Sequence, residues 1–344
     1  MKLSVSDFLK KSETIPVIDV RTPAEFEQGH IPGSFNIPLL SNEERTIVGT
    51  LYKQKGKEKA FIKALEFSGP NMADFVQKAK KIATTFNVNK LLVYCWRGGM
   101  RSSSMSWLFN SAGIESYVLD GGYKNYRRHI RESFQKPIDL IVLGGYTGSG
   151  KTEILKYISN TNQVIDLEAI AHHKGSAFGF IGQEKQPTSE HFENIFGKIW
   201  LKLDFDKELW LEDESRNIGS VYLPEEIYKK IRSAQVIFID IPIEERIKRL
   251  IREYSKFKDE YIEFALEKIK KRIGGLNYKI ASEALKESNY YQVAKIALKY
   301  YDKAYSYGIN KREKRSIHSI NIPTDDPKHS AKIVLDFYNS FKKA

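Results

Sequence analysis

Cysteine is almost absent from this chain of 344 residues, which contains only Cys95. A single thiol excludes an internal disulfide and every metal site built from several thiolates. The chain also lacks an apolar run of the roughly 18 residues that a membrane span requires, and residues 1–11 lack the apolar core of a signal peptide. We therefore expect a cytoplasmic protein with no membrane partner, in which Cys95 acts without a second cysteine from the same chain.

Positive charge exceeds negative charge, with 55 Lys and Arg against 43 Asp and Glu and a formal net charge of +12. The last 90 residues hold 19 Lys and Arg against 11 Asp and Glu, interleaved with tyrosines. Basic surfaces attract phosphate backbones because counterions are released on binding. The charge therefore favours a polyanionic partner, with nucleic acid as the first candidate.

Apolar runs alternate with helical patterns along the chain. Residues 15–20 and 90–94 are short runs typical of buried parallel strands, and residues 71–83 between them carry apolar side chains at helical spacing. This alternation predicts an α/β fold. A second series starts with the apolar residues 140–143 and a glycine-rich loop, after a strongly charged stretch that Pro137 closes.

The length exceeds the usual size of one hydrophobic core, so we expect two domains. The predicted order is a first α/β domain, a basic linker, a second α/β domain with a parallel sheet, and a helical, basic C-terminal region. Their predicted bounds are residues 1–126, 127–137, 138–254 and 255–344.

The predicted strand at residues 90–94 leads directly into Cys95 and a glycine-rich loop. Two glycines let the backbone bend so that successive N–H groups point inward, and the following helix adds its positive N-terminal end. Nearby arginines would stabilise a thiolate, or a persulfide or oxyanion at that sulfur. We predict a reactive site here; the alternative is a buried structural cysteine. The candidate catalytic residues are Cys95, Arg97, Gly98, Gly99 and Arg101.

The residues upstream of this loop resemble the amino-terminal signature of rhodanese domains. The matching segments are Asp19-Val20-Arg21, Glu25-Phe26, Gly29-His30-Ile31-Pro32-Gly33-Ser34 and Asn36-Ile37-Pro38. The resemblance implies a rhodanese-like domain in which these residues are structural and Cys95 carries a chalcogen atom. Arg101 lies six positions after Cys95, so the loop is one residue longer than in many sulfurtransferases and has the C-x5-R spacing of Cdc25-like phosphatases. A wider loop admits a larger target, either selenium or phosphate.

The second glycine-rich loop has the pattern of a Walker A phosphate-binding loop. Residues 145–152 follow an apolar strand and precede a helix, which is the context that the motif G-x4-G-K-[ST] requires. Backbone N–H groups would hold a diphosphate, Lys151 would neutralise the outer phosphate, and Thr152 would ligate a cation if one binds. The candidate phosphate-binding residues are Gly145, Thr147, Gly148, Ser149, Gly150, Lys151 and Thr152. A P-loop NTPase-like domain is therefore predicted.

Polar residues follow two other predicted strands of the second domain. Residues 209–214 form an apolar run that ends in acids, which is the placement of a Walker B element. If magnesium binds, Thr152 and Asp213 are its predicted ligands, with Glu212 as a further candidate; a polar strand end without metal is the alternative. Carboxyl ends of parallel strands share one edge, so these side chains should share a crevice. The predicted crevice residues are Asp166, Glu168, His172, His173, Glu212, Asp213, Ser215 and Arg216. For the two histidines we expect substrate contact or acid–base work.

The order of these motifs is similar to that of the bacterial tRNA 2-selenouridine synthases. The matching segments are residues 95–102, the Walker loop, Asp166-Leu167-Glu168, residues 172–176, Glu212-Asp213-Glu214-Ser215-Arg216 and Ile218-Gly219. The resemblance implies that geranyl diphosphate alkylates the sulfur of a wobble 2-thiouridine in tRNA, after which selenophosphate supplies the selenium that replaces the geranylthio group. The P-loop would then hold the prenyl diphosphate and Cys95 would handle selenium, with no tightly bound cofactor. The implied partners are tRNA, geranyl diphosphate, selenophosphate and an enzyme that supplies selenophosphate.

Arg127, Arg128 and Arg131 are the candidates for contact with tRNA phosphates, and the C-terminal tyrosines are candidates for base stacking. A solvated helical surface is the alternative for each. The residues also leave two other functions open. One is a Cdc25-like phosphatase fused to a small-molecule kinase, although Tyr94 rather than a histidine precedes Cys95. The other is a persulfide-sensing regulator that binds nucleic acid without catalysis.

Overall fold

The computed structural model describes residues 1–342 and divides the chain into two compact units, which we call unit 1 (Met1–Phe134) and unit 2 (from Gln135 onward). Across the described residues, the helices are either too short or too polar to span a lipid bilayer.

Unit 1 is built on a parallel sheet of five strands in the order β1-β5-β4-β2-β3. The strands are β1 (Lys2–Leu3), β2 (Val17–Asp19), β3 (Phe35–Asn36), β4 (Lys90–Tyr94) and β5 (Glu115–Leu119). The helices are α1 (Val5–Lys11), α2 (Pro23–Gln28), α3 (Asn42–Ser68), α4 (Met72–Thr85), α5 (Met100–Ser111) and α6 (Gly122–Ser133). β2 and all but the first residue of β4 are buried, because covered parallel strands need apolar side chains on both faces.

Helix α3 consists of two helical legs that meet at Gly56. It begins at a capping box in which Ser41 and Glu44 satisfy free backbone N–H groups. Gly56 has φ 84° and ψ 177°, a conformation that side-chain-bearing residues rarely adopt, and it interrupts the helix. The bend therefore places residues 42–55 and 57–68 on separate helical legs.

The basic segment predicted as a linker at residues 127–137 belongs largely to α6 in unit 1. Tyr126, Ile130 and Phe134 are at most 1% exposed and anchor one face of this helix, while its charged residues lie on the other. The boundary between the units lies at Phe134–Gln135. The physical reason is that an amphipathic helix can carry a strong positive charge and still bury its apolar face.

Unit 2 contains a second parallel sheet, in the order β12-β11-β6-β8-β7. Its strands are β6 (Leu140–Gly145), β7 (Gln163–Val164), β8 (Leu209–Glu212), β11 (Gln235–Asp240) and β12 (Ile317–Asn321), and β9 (Asn217–Ile218) and β10 (Val221–Tyr222) form a separate antiparallel pair. The helices are α7 (Lys151–Ile158), α8 (Leu167–Ala171), α9 (Ser189–Trp200), α10 (Glu225–Ser233), α11 (Ile243–Tyr254), α12 (Asp259–Ile273), α13 (Gly275–Lys286), α14 (Tyr290–Ile309) and α15 (Pro327–Lys342).

The C-terminal region predicted as helical at residues 255–344 also contains a strand. β12 pairs with β11 along five residues and completes one edge of the sheet. Ala331 and Val334 of α15 pack in the core around that sheet. This region is therefore part of the P-loop unit. The sequence did not predict β12, because this edge strand is only partly buried and its apolar and polar residues do not alternate regularly.

Candidate functional site

The thiol of Cys95 lies at the carboxyl end of β4, where the chain turns into α5. The residue is 3% exposed, and its Sγ lies 3.2 Å from the hydroxyl oxygen of Ser102 in the first turn of α5. Burial raises the pKa of the thiol, but hydrogen bonds with Ser102, the charge of Arg101 and the backbone N–H of Arg97 outweigh it, so the pKa is lowered overall. The loop therefore favours a thiolate, as the sequence predicts for a reactive cysteine.

Two glycines allow the Cys95 loop to approach the start of α6. Gly98 has φ +63°, and a Cβ there would lie 2.5 Å from the carbonyl oxygen of Leu119. Gly122 has φ +60°, and a Cβ there would lie 2.4 Å from both the Cys95 oxygen and the Gly98 nitrogen. At Gly99 a Cβ would meet no atom within 4 Å. The cradle thus depends sterically on Gly98 and Gly122, and Gly122 was not among the predicted site residues.

The two arginines of the loop have different environments. Arg101 donates to the carboxylate of Glu25 at 2.7 Å, and both side chains are partly buried. The Glu25 carboxylate also accepts from the backbone N–H of Thr22 in the capping box of α2. Because this bond fixes the Glu25 side chain, Glu25 can hold Arg101 beside the cradle. Burial raises the pKa of Glu25, but its bond to Arg101 outweighs this effect and lowers the pKa overall. Arg97 is exposed and therefore accessible to an incoming anion.

The rhodanese-like segments have structural contacts in unit 1. Asp19 and Arg21 form a buried ion pair at 2.6 Å, and Arg21 also donates to the carbonyl oxygen of Gly29. The hydroxyl of Tyr94, just before Cys95, accepts from the backbone N–H of Ile31 and lies 3.1 Å from the Ser34 hydroxyl. These bonds connect the strand that carries Cys95 to the segment at residues 29–34.

In unit 2, the glycine-rich loop connects β6 to α7. Gly148 and Gly150 have φ +79° and +71°, respectively. Lys151 donates to the carbonyl oxygen of Gly145 at 2.9 Å, and the hydroxyl of Ser149 is buried without a hydrogen-bond partner among the described residues. These residues line a cleft of about 620 Å³, which we call the P-loop cleft. Its backbone donors and lysine suit a phosphate or diphosphate.

Three glutamates gather at the floor of the P-loop cleft, next to Thr152. Oxygens of Glu168, Glu212 and Glu214 lie within 4.8 Å of one another, and Thr152 donates to Glu168 at 2.9 Å. Burial raises the pKa of Glu168 to about 7. Burial and the charge of Glu168 raise the pKa of Glu214 to about 8 and hold that of Glu212 well above its usual range. A cation bound here would lower these pKa values and stabilise the charged carboxylates.

This cluster has the donors that a hard divalent cation prefers, namely carboxylate and hydroxyl oxygens. One oxygen of Glu212 is buried and lacks a hydrogen-bond partner among the described residues, and the residue is 1% exposed. The residues that would hold Mg²⁺ are therefore Thr152, Glu168, Glu212 and Glu214. Bound there, the ion would neutralise charge on a diphosphate.

Asp213, the other predicted magnesium ligand, lines the P-loop cleft as predicted, but its carboxylate is held by two side chains. It forms a buried ion pair with Arg312 and accepts from the hydroxyl of Tyr305 at 2.7 Å. Tyr305 in turn accepts from the backbone N–H of Gly145, the first residue of the phosphate-binding motif. Asp213 thus connects the P-loop to residues near the C-terminus. Tyr305 is partly buried, and its hydroxyl is held by Asp213 and Gly145.

The remaining predicted crevice residues separate into two groups. Asp166 and Ser215 line the P-loop cleft, where Asp166 caps α8 and Ser215 donates to Asn217. His172, His173 and Arg216 are not among the residues that line it. His172 contacts the carbonyl oxygen of Lys185, buried His173 packs beside Gly179 and Gly219, and Arg216 pairs with Glu225 at the surface.

Several positively charged side chains of the P-loop cleft were not predicted from the sequence. Arg249 is 3% exposed, lies against Gly150 and pairs with Glu153 and Asp325. Lys174 and Arg272 also line the cleft. The partners of Arg249 are spread from residue 153 to residue 325, so no local pattern in the sequence identifies it as a cleft residue.

The arginines proposed for tRNA contact lie on α6 of unit 1. Arg128 and Arg131 are exposed and Arg127 is partly buried. Arg128 donates to Asn125 at 2.6 Å. Arg128 and Arg131 thus present positive charge to solvent, whereas Arg127 lies next to the buried face of α6.

Comparison with known proteins assigns both units to families. A family model described as the tRNA 2-selenouridine synthase AAA domain matches residues 138–323, and a rhodanese-like domain model matches residues 4–129. The predicted fold class, a rhodanese-like domain followed by a P-loop domain with a parallel sheet, is confirmed.

Relatives named tRNA 2-selenouridine synthase match over most of the chain. The protein from Shewanella piezotolerans is 33% identical and that from a Sulfurovum species is 36% identical; each alignment covers 87% of this chain and 90% of the relative. The protein from Nitrosomonas europaea is 38% identical, in an alignment that covers 70% of this chain and only 63% of that relative. By the order of its domains and these identities, the chain belongs to the tRNA 2-selenouridine synthase family.

Proposed function

We propose that this protein is a tRNA 2-selenouridine synthase that replaces the sulfur of a wobble 2-thiouridine with selenium through an S-geranyl intermediate. Family membership supports the overall activity. The two steps, with geranyl diphosphate and selenophosphate as substrates, are our assignment. In the first, the base sulfur forms a bond to C1 of the geranyl group, and the C1–O bond breaks to release diphosphate. In the second, the selenium of selenophosphate bonds to C2 of the base, the C2–S bond breaks and geranylthiolate leaves as the thiol after protonation. Water then attacks phosphorus, the P–Se bond breaks, and phosphate is released while selenium stays on the base.

The observation that carries the proposal is that the P-loop cleft adjoins an apolar pocket. Thr147, Ser176, Leu250, Tyr254 and Tyr301 line both spaces, so the pocket begins where the phosphate cradle ends. Its further walls are apolar residues of α11, α12 and α14. A diphosphate in the cradle would direct a prenyl tail into this pocket. Its free volume is about 50 Å³, so side chains must shift outward to admit a geranyl chain.

The charges of the P-loop cleft suit the departure of diphosphate in the first step. Lys151, Lys174 and Arg249 would stabilise the negative charge that develops when the C1–O bond breaks. We propose that Mg²⁺ at Thr152 and the three glutamates assists them. In EPR titrations, Mn²⁺ should bind to the wild-type protein, and Glu212→Gln should weaken that binding at least about tenfold, since it removes a charged ligand. Unchanged Mn²⁺ affinity would reject this site.

In the second step, the Cys95 cradle would bind the selenophosphate anion and Cys95 would handle selenium. Its lowered pKa and the exposed Arg97 support this assignment.

Contact of tRNA with Arg127, Arg128 and Arg131 belongs to the same proposal, because these side chains lie on the basic helix α6 of unit 1. Replacing Arg128 with Gln should weaken tRNA binding and reduce its salt dependence by about one phosphate contact.

One assay tests both steps. The protein is incubated with thiolated tRNA, geranyl diphosphate and selenophosphate, and the digested nucleosides are analysed by mass spectrometry. We expect Lys151→Ala to abolish geranylation while the protein stays folded, and Cys95→Ala to accumulate S-geranyl-2-thiouridine without selenium. Full selenium incorporation by Cys95→Ala, or normal prenyl transfer by Lys151→Ala, contradicts the corresponding assignment. Hydrolysis of ATP or a phosphomonoester in place of these products would instead support the phosphatase–kinase alternative.

A further inference from the structure

Unit 1 contains a cavity of about 650 Å³ between the two legs of α3 and the beginning of α5, which we call the α3 cavity. Tyr52 lies on one leg, Phe61 and Leu65 lie on the other, and Met100 and Arg101 begin α5. The bend at Gly56 separates the legs and thereby opens the space. Its volume falls within the roughly 300–1,000 Å³ of pockets that hold small organic ligands.

Several large apolar side chains in the walls of the α3 cavity remain open to solvent. Tyr52, Phe61, Leu65 and Met100 are 55%, 44%, 52% and 50% exposed, respectively. Such large apolar side chains contribute little to stability while they face water, and a cluster of them marks a surface that binds an apolar group. This part of the cavity is therefore suited to a hydrocarbon group.

The α3 cavity borders the Cys95 cradle. Met100 and Arg101 follow the cradle loop directly, and Arg101 both lines the cavity and acts electrostatically on Cys95. A ligand that fills the cavity therefore has one end near the thiol. Arg45, Lys53 and Lys57 also line the cavity, so its walls combine apolar side chains with charges that attract phosphate.

We propose that the α3 cavity receives the geranyl group of S-geranyl-2-thiouridine in tRNA during the selenium step. This inference rests on the proposed function. The geranyl tail of the donor diphosphate is assigned to unit 2, whereas the second step requires the geranyl group to lie beside the selenium-handling cysteine. When the C2–Se bond forms and the C2–S bond breaks, the geranylthiol leaves within the α3 cavity. The cavity thereby selects the geranylated tRNA over unmodified 2-thiouridine.

Binding of two synthetic anticodon stem-loops tests the proposal. They carry either S-geranyl-2-thiouridine or S-methyl-2-thiouridine and are titrated into the full-length protein with fluorescence anisotropy as the readout. Burial of only two methylene groups gives about a tenfold difference, so the wild-type protein should bind the geranyl form at least about tenfold more tightly. Equal affinities would overturn the proposal and leave a macromolecular partner as the occupant of the cavity.

A matched pair of variants localises the effect. Leu65→Asp places a charge in the cavity wall, whereas Ile62→Asp places one on the same helix leg at a residue that is 50% exposed and does not line the cavity. Leu65→Asp should lose most of the geranyl preference and slow selenation of S-geranyl tRNA about tenfold, while Ile62→Asp keeps both. An unchanged preference in Leu65→Asp overturns the assignment.

Folding and the first step serve as separate readouts. If Leu65→Asp lowers the melting temperature, Leu65→Ser is tested instead, because it is a smaller change at the same position. Leu65→Ser should also reduce the geranyl preference and the rate of selenation. Geranylation of 2-thiouridine tRNA should be equal in wild type and both variants, because that step is assigned to unit 2. If the wild-type protein does not geranylate tRNA at all, the proposed function fails, whereas loss of the stem-loop preference alone rejects only the α3 cavity.

Discussion

Replacement of Gly122 by alanine tests whether the beginning of α6 shapes the Cys95 cradle. Gly122 has φ +60°, a conformation that costs an alanine about 1–2 kcal/mol. In addition, the new Cβ would lie 2.4 Å from the Cys95 oxygen and the Gly98 nitrogen and 2.8 Å from the Arg97 nitrogen. All three are backbone atoms, so the cradle itself must move to relieve the contact.

Gly113 provides the control, because it has φ +84° but a Cβ there meets no atom within 4 Å. Gly113→Ala should therefore cost only the backbone strain, about 1 kcal/mol or roughly 4 °C in melting temperature. Gly122→Ala should cost at least about twice as much and also change the rate at which iodoacetamide alkylates Cys95. Equal melting temperatures for the two variants, with an unchanged alkylation rate in Gly122→Ala, would refute the reasoning.

Two further predictions concern charge. Because the pKa of Cys95 is lowered, its alkylation rate should reach half-maximum at a lower pH than that of a free cysteine measured under the same conditions, and Arg101→Gln should move that midpoint upward. A wild-type midpoint at or above that of the free cysteine rejects the cradle's effect. Asp213→Asn leaves Arg312 without its buried carboxylate and should lower the unfolding free energy by about 3 kcal/mol in urea titrations. Glu267→Gln, which removes the carboxylate of an exposed ion pair, should cost less than about 1 kcal/mol, and similar losses in both variants would show that the Asp213 pair contributes no more than a surface pair.

Features that depend on local order along the chain were predicted well from the sequence. The Cys95 loop and the Walker loop each lie between an apolar strand and a helix, and the structure has both in that arrangement. The sequence also contained enough information to predict the helix α6, because apolar residues recur at helical spacing at Tyr123, Tyr126, Ile130 and Phe134. The arginines between them led instead to the prediction of a linker.

Features that depend on distant residues could not be predicted. Local order makes Asp213 an attractive magnesium ligand, yet Arg312 and Tyr305, more than 90 residues later, hold its carboxylate. Conversely, Glu168 was predicted only as a crevice residue, and its place beside Thr152 in the cluster of three glutamates depends on α8, which brings it there. Which of several acids faces a cleft depends on partners that only the folded chain brings together.

The late position of β12 in the chain has a consequence for biosynthesis. Unit 1 is complete at Phe134, so it can fold while the ribosome is still translating the rest, as N-terminal domains generally do. Unit 2 acquires its edge strand only at residues 317–321, and the buried Arg249 beside the Walker loop meets its carboxylate partner only at Asp325. A ribosome that stops a few codons before Asp325 would therefore release a folded rhodanese-like unit attached to an incomplete phosphate-binding unit, which is a natural substrate for proteolysis.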